Sequence, residues 1–191
     1  MRRKFDPSRK GLLENEERRQ TFPPEKILAL LPLAPGQTVA DIGCGTGYFS
    51  IPLAERLTKG KVFALDISEE MLGALRSKLE KFPHDNIVVL KSGEEEIPVK
   101  PRSLDGALMT CVLHEAAEDR AGFLNKVFGL LKPGGWLAVV EWCKKEMPVG
   151  PPLKERLDLN EAVDLAPKEG VKLVRQEFLS DKHYFLLWRK E

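Results

Sequence analysis

Asp41-Ile42-Gly43-Cys44-Gly45-Thr46-Gly47 stands between a β-branched run and an amphipathic one, with three glycines at alternate positions. Glycine accepts positive φ and lets a ligand come close to the backbone. A helix that starts after such a turn offers unpaired N–H groups and a positive dipole end, suited to a carboxylate or a phosphate. The spacing is GxGxG, not the GxGxxG of a dinucleotide site, and no GK[ST] follows, which excludes a P-loop. Asp66 closes the next expected strand, 19 residues after Gly47. A carboxylate at that strand end can accept both hydroxyls of a ribose, so the expected ligand contains a nucleoside. The plainer role for Asp66, capping the following helix, is better met by Ser68.

These residues need a frame. The chain has 191 residues, 42% hydrophobic and 31% charged, which suits one domain with a complete core. Thirty Lys+Arg against 29 Asp+Glu give a net charge of +1, so no bulk field draws the chain to nucleic acid. Charges interrupt every apolar run before the roughly 18 residues of a membrane span. The basic N-terminus lacks the apolar centre of a secretory signal. Cys44, Cys111 and Cys143, without a CxxC pair, indicate neither a disulfide framework nor a zinc site. A cytoplasmic chain is the expectation.

Strands are predicted at Thr38–Ile42, Lys61–Leu65, Asn86–Leu90, Leu104–Met109, Trp136–Trp142, Val171–Phe178 and His183–Trp188, the last two as an antiparallel pair. One helix starts near Phe49, because Pro52 is tolerated only in a first turn. A second follows Ser68, with Met71, Leu72, Leu75, Leu79 and Phe82 on one stripe. A third covers Ala117 to Leu131 and is stopped by Lys132-Pro133-Gly134-Gly135. A fourth runs from Leu153 to Ala166. The expected fold is α/β: a doubly wound, seven-stranded, mainly parallel sheet with a C-terminal antiparallel β-hairpin and helices on both faces.

DIGCGTGYFS, the ALD that closes the second strand, SLDGALMTCVLHE and LLKPGGWLAVVEW together resemble the S-adenosylmethionine-dependent methyltransferases of the class I (Rossmann-like) type, in order and in spacing. The resemblance covers about 24–142 and the terminal hairpin, and is nearest to the small-molecule branch related to the ubiquinone/menaquinone-biosynthesis and arsenite enzymes. It implies S-adenosylmethionine as cofactor and S-adenosylhomocysteine as product. It also implies one domain over 1–191: an N-terminal arm or lid (1–23), a cofactor-binding core (24–142), then linker, helix and hairpin (143–191). By the same resemblance Gly43, Gly45 and Gly47 cradle the methionine and ribose portion, and Asp41 orders the loop around the methionine amino group. Asp66 holds the ribose, with Ile67 against the adenine. Ser92, Gly93 and Glu94 end the third strand. Gly93 stands where the family has an Asp for the adenine amino group, which leaves a backbone N–H or the Glu94 carboxylate for that contact. Thr110 and Cys111 would lie beneath the methionyl part.

Methyl transfer from a sulfonium is an in-line displacement, so the protein's task is to align donor and nucleophile and to exclude water. A base is needed only where the acceptor is a weak nucleophile. His114, beside Glu115, and Glu141 are the candidates, a half-buried structural histidine being the plainer reading of His114. Cys44 and Cys111 read as packing residues, and His183 as structural; no metal is expected. Trp142 either walls an acceptor pocket or covers the sheet edge. The acceptor cysteines of the arsenite enzymes are missing. No Asn-Pro-Pro-Tyr follows the fourth strand, where Thr110-Cys111-Val112-Leu113 stands, which argues against a base amine as acceptor. The basic cluster Arg2, Arg3, Lys4, Arg9, Lys10 is offset by Glu14, Glu16 and Glu17. The expected partner is a small-molecule acceptor under a short lid, with neither nucleic acid nor membrane. A protein or RNA methyltransferase, and a nucleoside binder that transfers no methyl group, stay open as alternatives.

Overall fold

Val39 and Ala40 expose none of their surface and Asp41 only 1%, so Thr38–Ile42 is enclosed on both sides and forms β1. Burial on both faces is the mark of an interior parallel strand. The computed structural model describes residues 6, 8, 11, 16–116 and 119–191. Two compact units divide the chain, one through Pro98 and one from Val99. Most of the expected arm (1–23) lies outside the described residues, as do Arg2, Arg3, Lys4, Arg9, Lys10 and Glu14.

The first unit holds α1 (Glu16–Thr21), α2 (Pro24–Leu28), β1, α3 (Ser50–Arg56), β2 (Lys61–Asp66), α4 (Glu69–Lys81) and β3 (Ile87–Lys91). β1 pairs in parallel with β2 and β2 with β3, so Ile42 lies opposite Leu65 and Asp66 opposite Lys91. Ser68 caps α4 by accepting the Met71 N–H at 3.3 Å. Glu69 and Glu70 open the helix and Lys78 and Lys81 close it, each favourable to the helix dipole. Leu72 and Leu75 cluster with Cys44 and Ala64; each leucine so buried stabilises the fold by roughly 1.5–3 kcal/mol. Phe82, expected on this stripe, is instead 71% exposed, because α4 ends at Lys81 and Phe82 leaves helical geometry. Asn86 precedes β3 rather than joining it. Its amide donates to the carbonyls of Ala54 (2.9 Å) and Leu57 (3.0 Å) and so closes the end of α3.

The second unit holds β4 (Leu104–Thr110), α5 (Arg120–Leu130), β5 (Leu131–Trp142), a 3-10 turn at Leu153–Glu155, α6 (Leu159–Asp164), β6 (Val171–Phe178) and β7 (His183–Lys190). β4 and β5 are parallel; β7 runs antiparallel to both β5 and β6. Gly106 lets β4 lie against Trp136, since a Cβ there would collide with the indole. The seven strands are ordered β3-β2-β1-β4-β5-β7-β6, the expected mainly parallel α/β sheet with a C-terminal antiparallel hairpin.

Two expectations are corrected here. Lys132-Pro133-Gly134-Gly135 does not separate helix from strand. Leu131 already pairs with Leu104, the next pair is Gly106 with Trp136, and the four residues between bulge out of β5 with Gly134 at φ 76°. The single helix expected over 153–166 is a 3-10 turn and a separate α6. Asp158 starts α6 through a capping box with Glu161, each side chain bonding the other's backbone N–H at 2.8 and 2.9 Å. Of the third expected helix, Ala117 lies outside the described residues; α5 begins at Arg120, capped by Asp119.

Candidate functional site

In the first unit the chain leaves β1 and turns through Gly43, Gly45 and Gly47, with φ of 73°, 54° and 87°. Most side chains are strained there, which is why the turn needs glycine. The turn is held from inside. Gly43 and Cys44 both donate to the Leu65 carbonyl at 2.7 and 2.9 Å, and Gly47 donates to that of Cys44 at 2.9 Å. From α4, Lys78 Nζ reaches the Thr46 carbonyl at 2.7 Å. These N–H groups are therefore committed to the fold, and what the glycines offer a ligand is close approach.

Asp66, the last residue of β2, anchors the same turn. Its Oδ2 accepts the Gly45 N–H and its Oδ1 the Ser68 N–H, both at 2.8 Å. Each carboxylate oxygen keeps further acceptor capacity, so this tether is compatible with hydroxyl binding. Ile67 beside it is 49% exposed, an apolar surface suited to a flat base. At the end of β3, Ser92 donates to the Asp66 carbonyl (2.9 Å) and Gly93 to that of Glu96 (3.0 Å). The Gly93 N–H is thus taken, and the Glu94 side chain beside it is half-buried.

Asp41 is the enclosed member of this group. Ser50, at the start of α3 and itself without exposed surface, donates its hydroxyl to Asp41 Oδ2 at 2.6 Å. Oδ1 is buried and meets no donor among the described residues. Burial drives the carboxyl up, the Ser50 hydrogen bond opposes this, and the Asp66 charge adds to the rise, leaving it at about 7. Burial, with the charges of Asp41 and Asp66, also lifts the Cys44 thiol well above its ordinary range. Cys44 packs on Leu72 and Leu75 and is too rarely a thiolate to act as a nucleophile.

In the second unit β4 ends at the buried Thr110, and Cys111 follows at φ 58°, donating to the Val140 carbonyl at 2.8 Å. His114 and Glu141, expected as separate candidates, form one buried pair. Nδ1 lies 2.9 Å from Glu141 Oε2 and 3.1 Å from Oε1, and the His114 backbone N–H donates to Oε1 at 3.0 Å. Nε2 is 3.7 Å from the Glu115 carboxylate. Burial alone would lower the His114 pKa, but the charge and hydrogen bond of Glu141 outweigh it and raise the value. Burial pushes Glu141 up in turn, and the His114 charge pulls it below its ordinary value. Arg120 locks the segment by donating to the carbonyls of His114 and Glu155, both at 2.8 Å. Trp142 packs 4.3 Å from the His183 ring, with the Arg156 guanidinium 5.7 Å from its centroid. It is built into local packing.

Ser50, Lys78 and Arg120 are absent from the residues singled out by sequence. Ser50 carried a usable signal, a lone polar side chain among the apolar residues Phe49 and Ile51. Among the described residues no cluster of His, Cys, Asp or Glu could hold a metal ion, and no helix is long and apolar enough to cross a membrane.

A mainly parallel sheet with a glycine turn after its first strand and a carboxylate at the end of the second has the layout of a Rossmann-like fold. Residues 39–135 match the family described as "Methyltransferase domain". A SAM-dependent methyltransferase from Aquifex aeolicus superposes with a TM-score of 0.89 at 32% identity, over 98% of this chain and 100% of that one. Demethylmenaquinone methyltransferase of Desulfitobacterium hafniense is 30% identical over 126 residues, 65% of this chain and 49% of that protein. An uncharacterized methyltransferase of Mycobacterium bovis is 36% identical over 135 residues, 71% of this chain and 51% of that protein. The chain belongs to the class I S-adenosylmethionine-dependent methyltransferases. It spans about half the length of the curated relatives it matches.

Proposed function

We propose that this chain binds S-adenosylmethionine in the first unit and transfers its methyl group to a small-molecule acceptor. The observation that carries the reading is the buried Asp41 Oδ1, an acceptor without a donor among the described residues, beside a turn built for close approach. A ligand that brings an ammonium group satisfies it, and the methionine part of the cofactor has one. Asp66 would take the ribose hydroxyls, Ile67 and Glu94 the adenine, with Ser92 and Gly93 shaping that strand end. Gly43, Gly45 and Gly47 would let the methionine and ribose portions close on the backbone.

When bound, the cofactor supplies a methyl group already activated by its sulfonium. The residues of this chain orient it and keep water out. Glu141 holds the His114 ring through Nδ1, and His114 would take an acceptor's proton at Nε2 only above its raised pKa. An acceptor that is already nucleophilic needs no such step. Demethylmenaquinone, named in the relatives, is the first acceptor to test.

Calorimetric titration with S-adenosylmethionine, S-adenosylhomocysteine and NADH, on wild type and Asp66→Ala, tests the cofactor. The expected result is binding of the two sulfur nucleosides, lost in Asp66→Ala, and none of NADH. Absence of sulfur-nucleoside binding would overturn the reading. Transfer of a labelled methyl group to demethylmenaquinone and to small-molecule and macromolecular extract fractions then tests the acceptor. Label confined to protein or RNA would replace the small-molecule assignment.

A further inference from the structure

Ser50 lies outside the glycine turn, yet it is the side chain that fixes Asp41. Its hydroxyl sits 2.6 Å from Oδ2, a length typical of a hydrogen bond to a carboxylate. Both residues are enclosed, at 0% and 1% exposure, so neither has room to turn aside. With Oδ2 held, the carboxyl plane is set and Oδ1 is the oxygen left over, buried and without a donor among the described residues. A buried acceptor left in that state destabilises the fold. Such a cost is characteristic of a site whose partner arrives with a ligand.

We infer that Ser50 is a positioning residue for cofactor recognition: by fixing Asp41 Oδ2 it presents Oδ1 to the ligand's α-ammonium group. This rests on the cofactor reading above and adds a residue to it. Among the described residues, the charged and titratable groups that act on Asp41 are Asp66 at the end of β2 and Cys44 in the turn, and neither supplies a positive charge. Ser50 also lowers the Asp41 pKa through its hydroxyl and its backbone N–H, so it helps keep the carboxylate ionised for a cation.

The test compares two ligands that differ at the inferred contact. S-adenosylhomocysteine carries the α-ammonium; 5′-methylthioadenosine has the nucleoside and sulfur without it. Ser50→Ala is expected to weaken S-adenosylhomocysteine about tenfold, about 1.4 kcal/mol, and to leave methylthioadenosine unchanged. Ser50→Thr, which keeps the hydroxyl, is expected to restore the loss. The pH at which S-adenosylhomocysteine affinity rises should move upward in the Ala variant, because Asp41 loses a bond that favours its charged form. If the Ala chain does not fold, Ser50→Cys, with similar volume and a weak donor, carries the same comparison. Equal weakening of both ligands, or no weakening of either, overturns the inference. A wild type that binds neither ligand overturns the cofactor reading and this one with it; a wild type that binds both leaves the variants to decide Ser50 alone.

Discussion

The Nδ1 atom of His114 lies 2.9 Å from Glu141 Oε2, and the same carboxylate accepts the backbone N–H groups of His114 and Trp142, both at 3.0 Å. Glu141 thereby fixes the end of β5 and the chain after β4 together. The raised His114 pKa makes its contribution to stability complete below about 6.5 and lost as pH rises through the raised value. The lowered Glu141 pKa gives a contribution present above about 4.3 and lost as pH falls through the lowered value. The pair is therefore worth most between those limits. Glu141→Ala is expected to destabilise the protein by roughly 3–5 kcal/mol near pH 5.5, as when one partner of a buried pair is removed, and by less near pH 9. Urea unfolding at both pH values measures this; an equal cost at both would show that the imidazolium adds nothing.

Asp66 invites a second experiment, because it serves fold and ligand at once. Asp66→Ala removes the acceptor for the Gly45 and Ser68 N–H groups. Two hydrogen bonds to a partly exposed carboxylate correspond to about 2 kcal/mol. Asp66→Asn keeps one strong acceptor oxygen and should fall between the two. Loss of S-adenosylhomocysteine affinity by tenfold or more is expected to accompany the Ala substitution. If stability falls while affinity holds, Asp66 is a tether and the hydroxyl-binding role must go.

The first unit was largely legible in the sequence because its signals are local. Thr38–Ile42, the glycine turn, Asp66 and the Ser68 cap each lie within a few residues of the feature that identifies them, and β1, β2 and α4 lie where those signals place them. The His114–Glu141 pair was not legible as a pair. Its members are 27 residues apart and are joined by the parallel β4–β5 register. The bulge at Lys132–Gly135 was hidden for a related reason: Pro-Gly-Gly signals the end of a helix, but whether Leu131 pairs beforehand depends on β4. The break in the expected 153–166 helix was readable, since Asp158-Leu159-Asn160-Glu161 has the spacing of a capping box.

Two glycines separate conformation from mere smallness. Gly47 combines φ 87° with a Leu75 side chain that a Cβ would strike, whereas a Cβ on Gly93 meets nothing within 4 Å. Gly47→Ala is expected to cost about 2 kcal/mol or more, from backbone strain and overpacking together. Gly93→Ala should stay within about 0.5 kcal/mol. Adding Leu75→Ala to Gly47→Ala removes the collision and leaves the φ strain, so the double-mutant coupling divides the two causes. Equal stability of both single variants would mean that the turn relaxes freely.

Asp41 makes a prediction of opposite sign for stability and for binding. Its carboxyl is pushed to about 7 by burial, against about 3.9 in an unfolded chain. Between those values the native state holds a proton that the unfolded state has lost, so stability falls as pH rises from about 4 to about 7. A separation of about 3 units corresponds to about 4 kcal/mol. Asp41→Asn has no proton to lose there. Its stability should decline less than that of the wild type across this range, and by pH 8 it should unfold at higher urea than the wild type. The same variant should bind S-adenosylhomocysteine more weakly, since the ammonium loses its counter-charge. Added S-adenosylhomocysteine is expected to stabilise the wild type more at pH 8 than at pH 5.5, where the free carboxyl is protonated. Parallel unfolding curves for the two proteins from pH 4 to pH 8 would show that Asp41 ionises in the native state as readily as in the unfolded one. The burial argument for its role would then fail.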